Sequence, residues 1–389
     1  MRSLTAILVV ALALGADTAG PDRTDDWPTT RLVINLNGKE RISVRRTSLD
    51  KKPSGSVWRG EIAGTSEPVL LMRWKDLRFS GMFVYRGQTY TLDRLTTIAG
   101  EVHAVVAANP ARNQQATVQS DEGRTALGAR AITARMPGRH RSPAEKAATA
   151  TEHAGFAPLS SERRQELAAK KVTIDVMVLY THSVAARYVD IETDLIEHSI
   201  AEANLSFVNS GIGNIKLRLA HSQQIDYAET SGEHFDHLYR MVDGVGAFTS
   251  VAALRNAKRA DVVVLVVDDP SSCGLATRVA ADAEEAFAVV HHACAALTYS
   301  LPHEIGHIIG ARHDRSLDQH ASPFPYGHGF VNGTKWRDIM SYRASCDGCP
   351  RLPFWSNPAI EINGEPAGTV YADNARVLLE QAARVASFR

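Results

Sequence analysis

The stretch SLPHEIGHIIGARHD, Ser300–Asp314, constrains the fold of this 389-residue chain more than any other segment. His303 and His307 are four residues apart, so a helix through them places both imidazoles on one face. Gly310 predicts the end of that helix, because glycine readily adopts the positive φ of a sharp turn. The turn would bring His313 back towards the pair. The spacing therefore predicts three histidines around one metal ion, with the open fourth position of a catalytic zinc site.

Glu304 supplies the chemistry that this spacing predicts. It follows the first histidine, so its carboxylate would lie beside the metal without binding it. With zinc polarising a carbonyl group, the carboxylate could take a proton from the attacking water and pass it to the leaving amine. A bare H-E-x-x-H can also be an ordinary solvated helix face. The full H-E-x-x-H-x-x-G-x-x-H-D leaves little room for chance and predicts a zinc-dependent peptide-bond hydrolase.

Pro302 raises the question of where this helix begins. Proline is tolerated in a first turn, where its missing N–H would have no partner within the helix. We therefore expect Ser300 to cap the helix, with Leu301 and Pro302 at its first positions. A helix that began near Ala296 would instead be kinked beside the metal.

The motif resembles the zinc site of the metzincin metalloproteases. The resemblance includes WRDIMSY (336–342), so Met340 is expected to form the methionine turn beneath the zinc ligands. It implies that Tyr342 contacts the zinc or stabilises the oxyanion, as in astacin-like and serralysin-like relatives. The pair His313–Asp314 is similar to the reprolysin branch, in which the aspartate supports the fold.

A narrower resemblance spans most of residues 172–365. Its marks are Cys273-Gly274, AFAVV before Cys294, PYGHGF (325–330) and CPRLPFWSNP (349–358). Together they look like the bacterial peptidyl-Asp metalloendopeptidases, which cut on the amino side of aspartate. In the wider family the edge strand before the zinc helix pairs with extended substrate, and AFAVV is expected to have that role.

Preference for aspartate demands a cation beside the metal, best a bidentate arginine. Arg343 and Arg351 follow the predicted methionine turn, where metzincins build the pocket wall, and are the preferred candidates. Arg312 and Arg337 are rivals for the same role.

Residues 171–389 are predicted to form an α/β (α+β) metzincin catalytic domain, with a mixed twisted sheet and long helices. DVVVLVVDD (261–269) has the continuous apolar run of a central strand covered on both faces. The predicted helix at 194–208 places Ile196, Ile200, Ala203 and Phe207 on one face. The remaining predicted strands are 172–180, 216–225 and 286–292, and the other helices are 233–257 and the C-terminal segment DNARVLLEQAARVASF.

The N-terminal half is predicted to direct export and to keep the enzyme latent. Residues 1–20 predict a signal peptide, with Arg2 before a short apolar run, and hence secretion to the periplasm or outside the cell. Residues 21–106 predict a small β-rich propeptide domain, and 107–170 its flexible or partly helical connector. Residues 1–171 carry 26 Lys+Arg and 17 Asp+Glu, a balance of +9, whereas residues 172–389 carry 17 and 26, a balance of −9. This split favours docking of the propeptide as an intramolecular inhibitor.

The four cysteines lie in the second half and, in an exported protein, predict two disulfides with three possible connectivities. We favour Cys273–Cys294 and Cys346–Cys349. The pair Asp268-Asp269 could bind calcium, although two carboxylates at a strand end are usually only a loop.

The sequence leaves two other functions open. One is a metzincin endopeptidase of broad or different specificity. The other is an inactive zinc-binding module, against which Glu304 argues because binding alone needs no base. The expected partners are protein or peptide substrates and the chain's own propeptide. We expect a monomer with no nucleic-acid or membrane partner.

Overall fold

The computed structural model describes residues 31–107 and 157–389, apart from gaps at 37–39, 53–54, 66, 75–78, 87, 98–99, 230–232 and 297. The chain divides into two compact units, Met1–Asn109 and Pro110–Arg389. The predicted signal peptide and most of the predicted connector lie outside the described residues.

The N-terminal unit is a seven-stranded antiparallel sheet whose strands pair in chain order. Alternating apolar residues such as Leu32, Ile34, Ile42 and Val44 are buried, so β1 and β2 contribute one face to the core. The strands are β1 Arg31–Asn35, β2 Arg41–Lys52, β3 Gly55–Ile62, β4 Pro68–Trp74, β5 Phe79–Tyr85, β6 Gln88–Thr97 and β7 Gly100–Ala107.

The C-terminal unit is built on a mixed five-stranded sheet in the order β11-β12-β10-β8-β9. Four strands are parallel, and β11 runs antiparallel at the edge. Every residue of β10 is buried, which confirms its predicted central position. The strands are β8 Val172–Thr181, β9 Ile215–Ile225, β10 Val262–Val267, β11 Gly274–Ala276 and β12 Phe287–His291, followed by the hairpins β13 Val331–Asn332 with β14 Trp336–Arg337 and β15 Asn357–Ile362 with β16 Glu365–Ala367.

The prediction that AFAVV forms the edge strand is wrong. AFAVV forms β12, which lies inside the sheet between β10 and β11. The edge belongs to β11, where Leu275 pairs with Val289. Three residues are too few to show a strand periodicity, so the sequence pattern pointed to the longer apolar run instead.

Helices cover the sheet of this unit. They are α1 Ser161–Ala168, α2 His182–Ala185, α3 His198–Asn209, α4 His234–Val242, α5 Val251–Lys258, α6 His292–Ala295, α7 Ser300–Ile309 and α8 Asn374–Val385, with a π-helical turn at Glu192–Glu197 leading into α3. Ile196, Ile200, Ala203 and Phe207 are buried, as their spacing predicted. Within the described ranges, no helix combines the length and apolarity needed to cross a membrane.

Helix α7 begins at Ser300, which confirms the late start inferred from Pro302. Pro302 lies in the first turn and leaves the helix intact. The cap differs by one residue from the prediction, because Tyr299 occupies the N-cap position with φ 58°. Ser300 Oγ instead lies 3.0 Å from Thr298 Oγ1. Helix α6 is a separate short helix, so no continuous helix reaches back from Ser300 to it.

The segment Ala157–Lys170, at the end of the predicted connector, packs on the C-terminal unit. Arg164 Nη2 of α1 lies 2.6 Å from the buried Asp373 carboxylate at the N-cap of α8. Asn214 Nδ2 donates to Lys170 O at 2.8 Å, and Arg376 Nη1 donates to Ala157 O at 2.9 Å. These contacts hold the segment at both ends.

Both preferred disulfides are present. Cys273–Cys294 joins the residue before β11 to α6, and Cys346–Cys349 closes a short loop. The first bridge therefore fixes the edge strand close to the chain that leads into α7.

Candidate metal centre and active site

The three predicted histidines converge on one point. Helix α7 carries His303 and His307, and Gly310, with φ 140°, ends the helix so that the chain returns with His313. The Nε2 atom of His313 lies 3.1 Å from that of His303 and 2.9 Å from that of His307. Three ring nitrogens at this spacing surround a position that one metal ion could fill.

Backbone carbonyls orient the imidazoles. His303 Nδ1–H donates to Ile339 O, and His307 Nδ1–H donates to Ala311 O, each at 2.9 Å. A carbonyl oxygen can only accept, so these bonds place the proton on Nδ1 and the lone pair on Nε2. This is the outer hydrogen bond that metal-binding histidines make.

Burial keeps the three rings neutral, as metal binding requires. It lowers the pKa of His307 to about 4 and holds the pKa values of His303 and His313 well below the ordinary range. The positive charge of Arg351 lowers the pKa of His303 and His313 further. Among the described residues, no other His, Cys, Asp or Glu joins the three neutral imidazoles, and such a set fits a catalytic divalent transition metal ion.

Glu304 lies buried on α7 between the first two ligands, against the edge strand. A Cβ added to Gly274 would lie 2.8 Å from Glu304 Cγ and 2.9 Å from Cδ, and would overlap Oε1. The backbone of β11 can approach the carboxylate only because residue 274 has no side chain. Sequence analysis quoted Gly274 as a family mark but did not find this reason for it.

Met340, the predicted methionine-turn residue, packs against the helix that carries the first two histidines. It is fully buried, and its Sδ would lie 3.3 Å from a Cβ on Gly306 of α7. The Trp355 ring would lie 2.6 Å from the same Cβ. Gly306 therefore lets the zinc-motif helix sit directly on Met340 and Trp355.

Tyr342 lies beside the third histidine of the candidate site. Its Oη lies 3.1 Å from His313 Nε2. Asp314 Oδ2 accepts the backbone N–H of Tyr342 at 3.0 Å, so this aspartate ties the turn to the motif and has a supporting role. His328 Nδ1–H donates to His313 O at 2.9 Å and fixes the third ligand from behind.

Asp338 is a buried support that sequence analysis missed. It accepts from Ser341 Oγ at 2.6 Å and from Ser356 N at 3.0 Å. Burial raises the pKa of its carboxyl to about 7. It thus joins the methionine turn to the chain before β15. Asp338 belongs to the WRDIMSY motif, but the motif gave no signal of this role because the contacts are long-range.

The predicted arginines lie together near the methionine turn. Arg351 donates to Thr298 O at 2.8 Å and to Ser341 O at 3.1 Å. Burial, together with the charges of Arg351 and Arg343, lowers the pKa of Arg337 to about 8. The rival Arg312 is already held by Ser322 O and the Asp318 carboxylate.

Comparison with known proteins agrees with this geometry. The reprolysin-type profile of metallo-peptidase family M12 matches residues 170–356. A peptidyl-Asp metalloendopeptidase of Stenotrophomonas maltophilia (strain R551-3) is 33% identical over 373 residues, 92% of this chain and 83% of that protein. The chain belongs to the M12 metallopeptidase family. The family match includes the zinc-motif helix, Met340 and Tyr342.

Other relatives of this M12 metallopeptidase are more partial. A peptidyl-Asp metalloendopeptidase of Xanthomonas campestris pv. campestris is 44% identical over 218 residues, 56% of this chain. That match spans only 52% of the relative's own length. Among solved structures, metalloproteinase-II from Bacteroides fragilis matches over 90% of each chain at 14% identity and a TM-score of 0.40, too remote to bear on the site.

Proposed function

We propose that this M12 metallopeptidase is a secreted, zinc-dependent endopeptidase, made as a latent proenzyme, that cleaves peptide bonds on the amino side of aspartate. The observation that carries the proposal is the convergence of His303, His307 and His313, with Glu304 between the first two on α7. The Asp preference draws on the printed names of the relatives and on the arginines beside the site.

Each residue of the site has a defined task in this reaction. When bound, zinc would polarise the scissile carbonyl and lower the pKa of the attacking water. Glu304 takes the proton from that water and donates it to the leaving amine. Tyr342 Oη, beside His313, donates a hydrogen bond to the oxygen that becomes negative in the transition state.

Strand β11 is the surface on which extended substrate would align. It lies at the sheet edge, runs antiparallel to β12 and begins at Gly274, which touches Glu304. A peptide added alongside it would place its backbone next to the base by main-chain hydrogen bonds.

Arg343 and Arg351 have different parts in recognition of aspartate. Arg351 is held on two backbone carbonyls and acts as a fixed positive charge beside the ligand histidines. Within the described part of the chain, the Arg343 guanidinium has no hydrogen bond or ion pair, so it is the one we assign to bidentate binding of the substrate carboxylate. Arg337 is only 3% exposed and donates to Cys349 O, so we do not assign it to binding of the substrate carboxylate.

The decisive experiment is digestion of a denatured protein mixture, followed by sequencing of the new N-termini. Enrichment of Asp there supports the proposal, and an even distribution supports the metzincin of broad specificity. Arg343→Gln should reduce the Asp preference about tenfold or more, while Arg315→Gln, which removes an exposed arginine of the same unit, should leave it unchanged. An equal effect of the two substitutions would contradict the assignment of Arg343.

One variant and one chelation experiment test the chemistry separately from the specificity. Glu304→Ala should abolish cleavage and retain the catalytic zinc ion. Chelation should abolish cleavage, and added zinc should restore it. Cleavage that survives chelation would reject the metal mechanism, whereas cleavage that survives Glu304→Ala would reject this base.

Latency and secretion are tested on the full chain. The intact chain should be less active than the processed form, and the exported protein should lack residues 1–20. We propose that the N-terminal half inhibits the protease by covering its site, supported by the opposite charges of the two halves. Equal activity before and after processing would refute the inhibitory role.

A further inference from the structure

A second group of metal-binding side chains lies at the carboxyl ends of two neighbouring parallel strands. Val267, the last residue of β10, pairs with His291, the last residue of β12. Asp268 and His292 come next along the two chains. Side chains at the carboxyl ends of adjacent parallel strands meet at one edge of the sheet, where α/β proteins commonly bind ligands.

The donor atoms of this group are already close. His292 Nε2 lies 3.0 Å from Asp268 Oδ1, and the ligand atoms of Asp268, His291 and His292 all lie within 4.8 Å of one another. Two donors that share a tetrahedral ion at about 2.1 Å are separated by roughly 3.4 Å. The first pair therefore has the required spacing, and rotation of the His291 ring would complete the set.

Outer hydrogen bonds hold two of these groups in position. Tyr188 Oη lies 2.8 Å from His292 Nδ1, which leaves Nε2 to face Asp268. Arg187 donates to Asp268 Oδ2 from Nη2 at 2.7 Å and from Nε at 3.1 Å, which leaves Oδ1 towards the histidine. Metal-binding histidines and carboxylates are characteristically fixed by such outer partners.

We propose that Asp268, His291 and His292 bind a second divalent transition metal ion, separate from the catalytic one. Two imidazoles and one carboxylate suit Zn²⁺, whereas Ca²⁺ prefers a shell of oxygen atoms. The calcium site considered for Asp268-Asp269 is therefore not favoured, since Asp269 instead binds Ser271 at 2.7 Å. The positive charge of Arg187 makes the affinity lower than that of the catalytic centre.

The proposed ion would stabilise the region next to the catalytic base. His292 begins α6, whose Cys294 is bonded to Cys273 directly before β11. The ion and the Cys273–Cys294 disulfide would together fix the two ends of the segment that contains Gly274 and β11. Its expected role is to hold the edge strand against Glu304.

Metal stoichiometry tests the proposal without relying on activity. The full chain is prepared with Glu304→Ala to prevent self-digestion, dialysed against buffered Zn²⁺ and analysed for metal content. We expect two zinc ions per chain in this parent protein. Adding Asp268→Asn or His292→Gln should reduce the content to one, and the matched His221→Gln should leave it at two.

Two further measurements distinguish this site from the catalytic one. His303→Gln in the same parent should lose the catalytic ion and keep the second one. Titration of the parent with Co²⁺ should give two successive steps of visible absorption and needs no ligand variant. The proposal would be overturned by a single zinc ion in the parent. It would also be overturned if both Asp268→Asn and His292→Gln retained two ions. Loss of the catalytic ion alone would bear only on the proposed protease function.

Discussion

Replacing Gly274 by alanine tests whether the edge strand positions the catalytic base. Gly274 has an ordinary φ, so the substitution adds a side chain without backbone strain. The new Cβ would lie 2.8 Å from Glu304 Cγ, whereas ordinary contacts of a Cβ begin at 3.4 Å. The carboxylate must therefore move by roughly 0.5–1 Å, and a displacement of that size can reduce a rate by about 100-fold. This corresponds to about 2.7 kcal/mol in the activation barrier.

The assay compares kcat, KM and metal content of the Gly274→Ala enzyme with those of the parent. We expect kcat to fall about 100-fold with little change in KM, because the base rather than substrate binding is disturbed. Zinc content should stay at the parental value. Gly213→Ala is the matched control, since its Cβ would meet the flexible Val208 Cγ2 at 3.2 Å, far from the base in sequence and role. A kcat within threefold of the parent, or a loss explained by missing metal, would refute the reasoning.

Three further predictions concern stability. Gly306→Ala should lower the free energy of unfolding by about 1–3 kcal/mol, despite the better helix propensity of alanine, because its Cβ meets the Trp355 ring at 2.6 Å; an unchanged urea midpoint would contradict this packing. Arg164→Ala should lower the free energy of unfolding by about 3 kcal/mol, because the buried Asp373 carboxylate loses its partner. Arg163→Ala, which breaks an exposed pair with Glu166, should lower it by under about 1 kcal/mol. Equal urea midpoints would reject the distinction. In the metal-free protein, the lowered pKa of His307 makes the free energy of unfolding depend on pH, because the folded state resists protonation of the buried ring. We expect this free energy to be constant above about pH 6.5 and to fall by up to about 3 kcal/mol as the pH drops towards 4. A flat profile of urea unfolding over that range would count against it.

The sequence predicted the convergence of His303, His307 and His313 well, because the signals for it are local. The three ligands, Glu304 and the helix end at Gly310 fall within one short stretch, where spacing alone determines which side chains share a face. Met340 and Tyr342 came from resemblance, and their contacts with the site agree with it. The central strand β10 was equally clear, because a run of six buried residues has few alternatives.

The edge strand and the outer supports could not be predicted in the same way. Strand β11 has three residues, too few for a period, and is placed by pairing with β12. Asp338 and Gly274 depend on neighbours brought close only by the fold. The N-cap of α7 is Tyr299 rather than the predicted Ser300. Tyr299 has a positive φ, and a tyrosine in the sequence rarely indicates that conformation.

The attachment of α1 bears on where the proposed proenzyme would be cut. A cut at the dibasic pair Lys170-Lys171 would separate α1 from β8, which begins at Val172. Loss of the severed helix would leave the Asp373 carboxylate buried without Arg164, at the start of the C-terminal helix. A cut before Ala157 would instead leave the mature protease with an N-terminal strap that joins its first strand to its last helix.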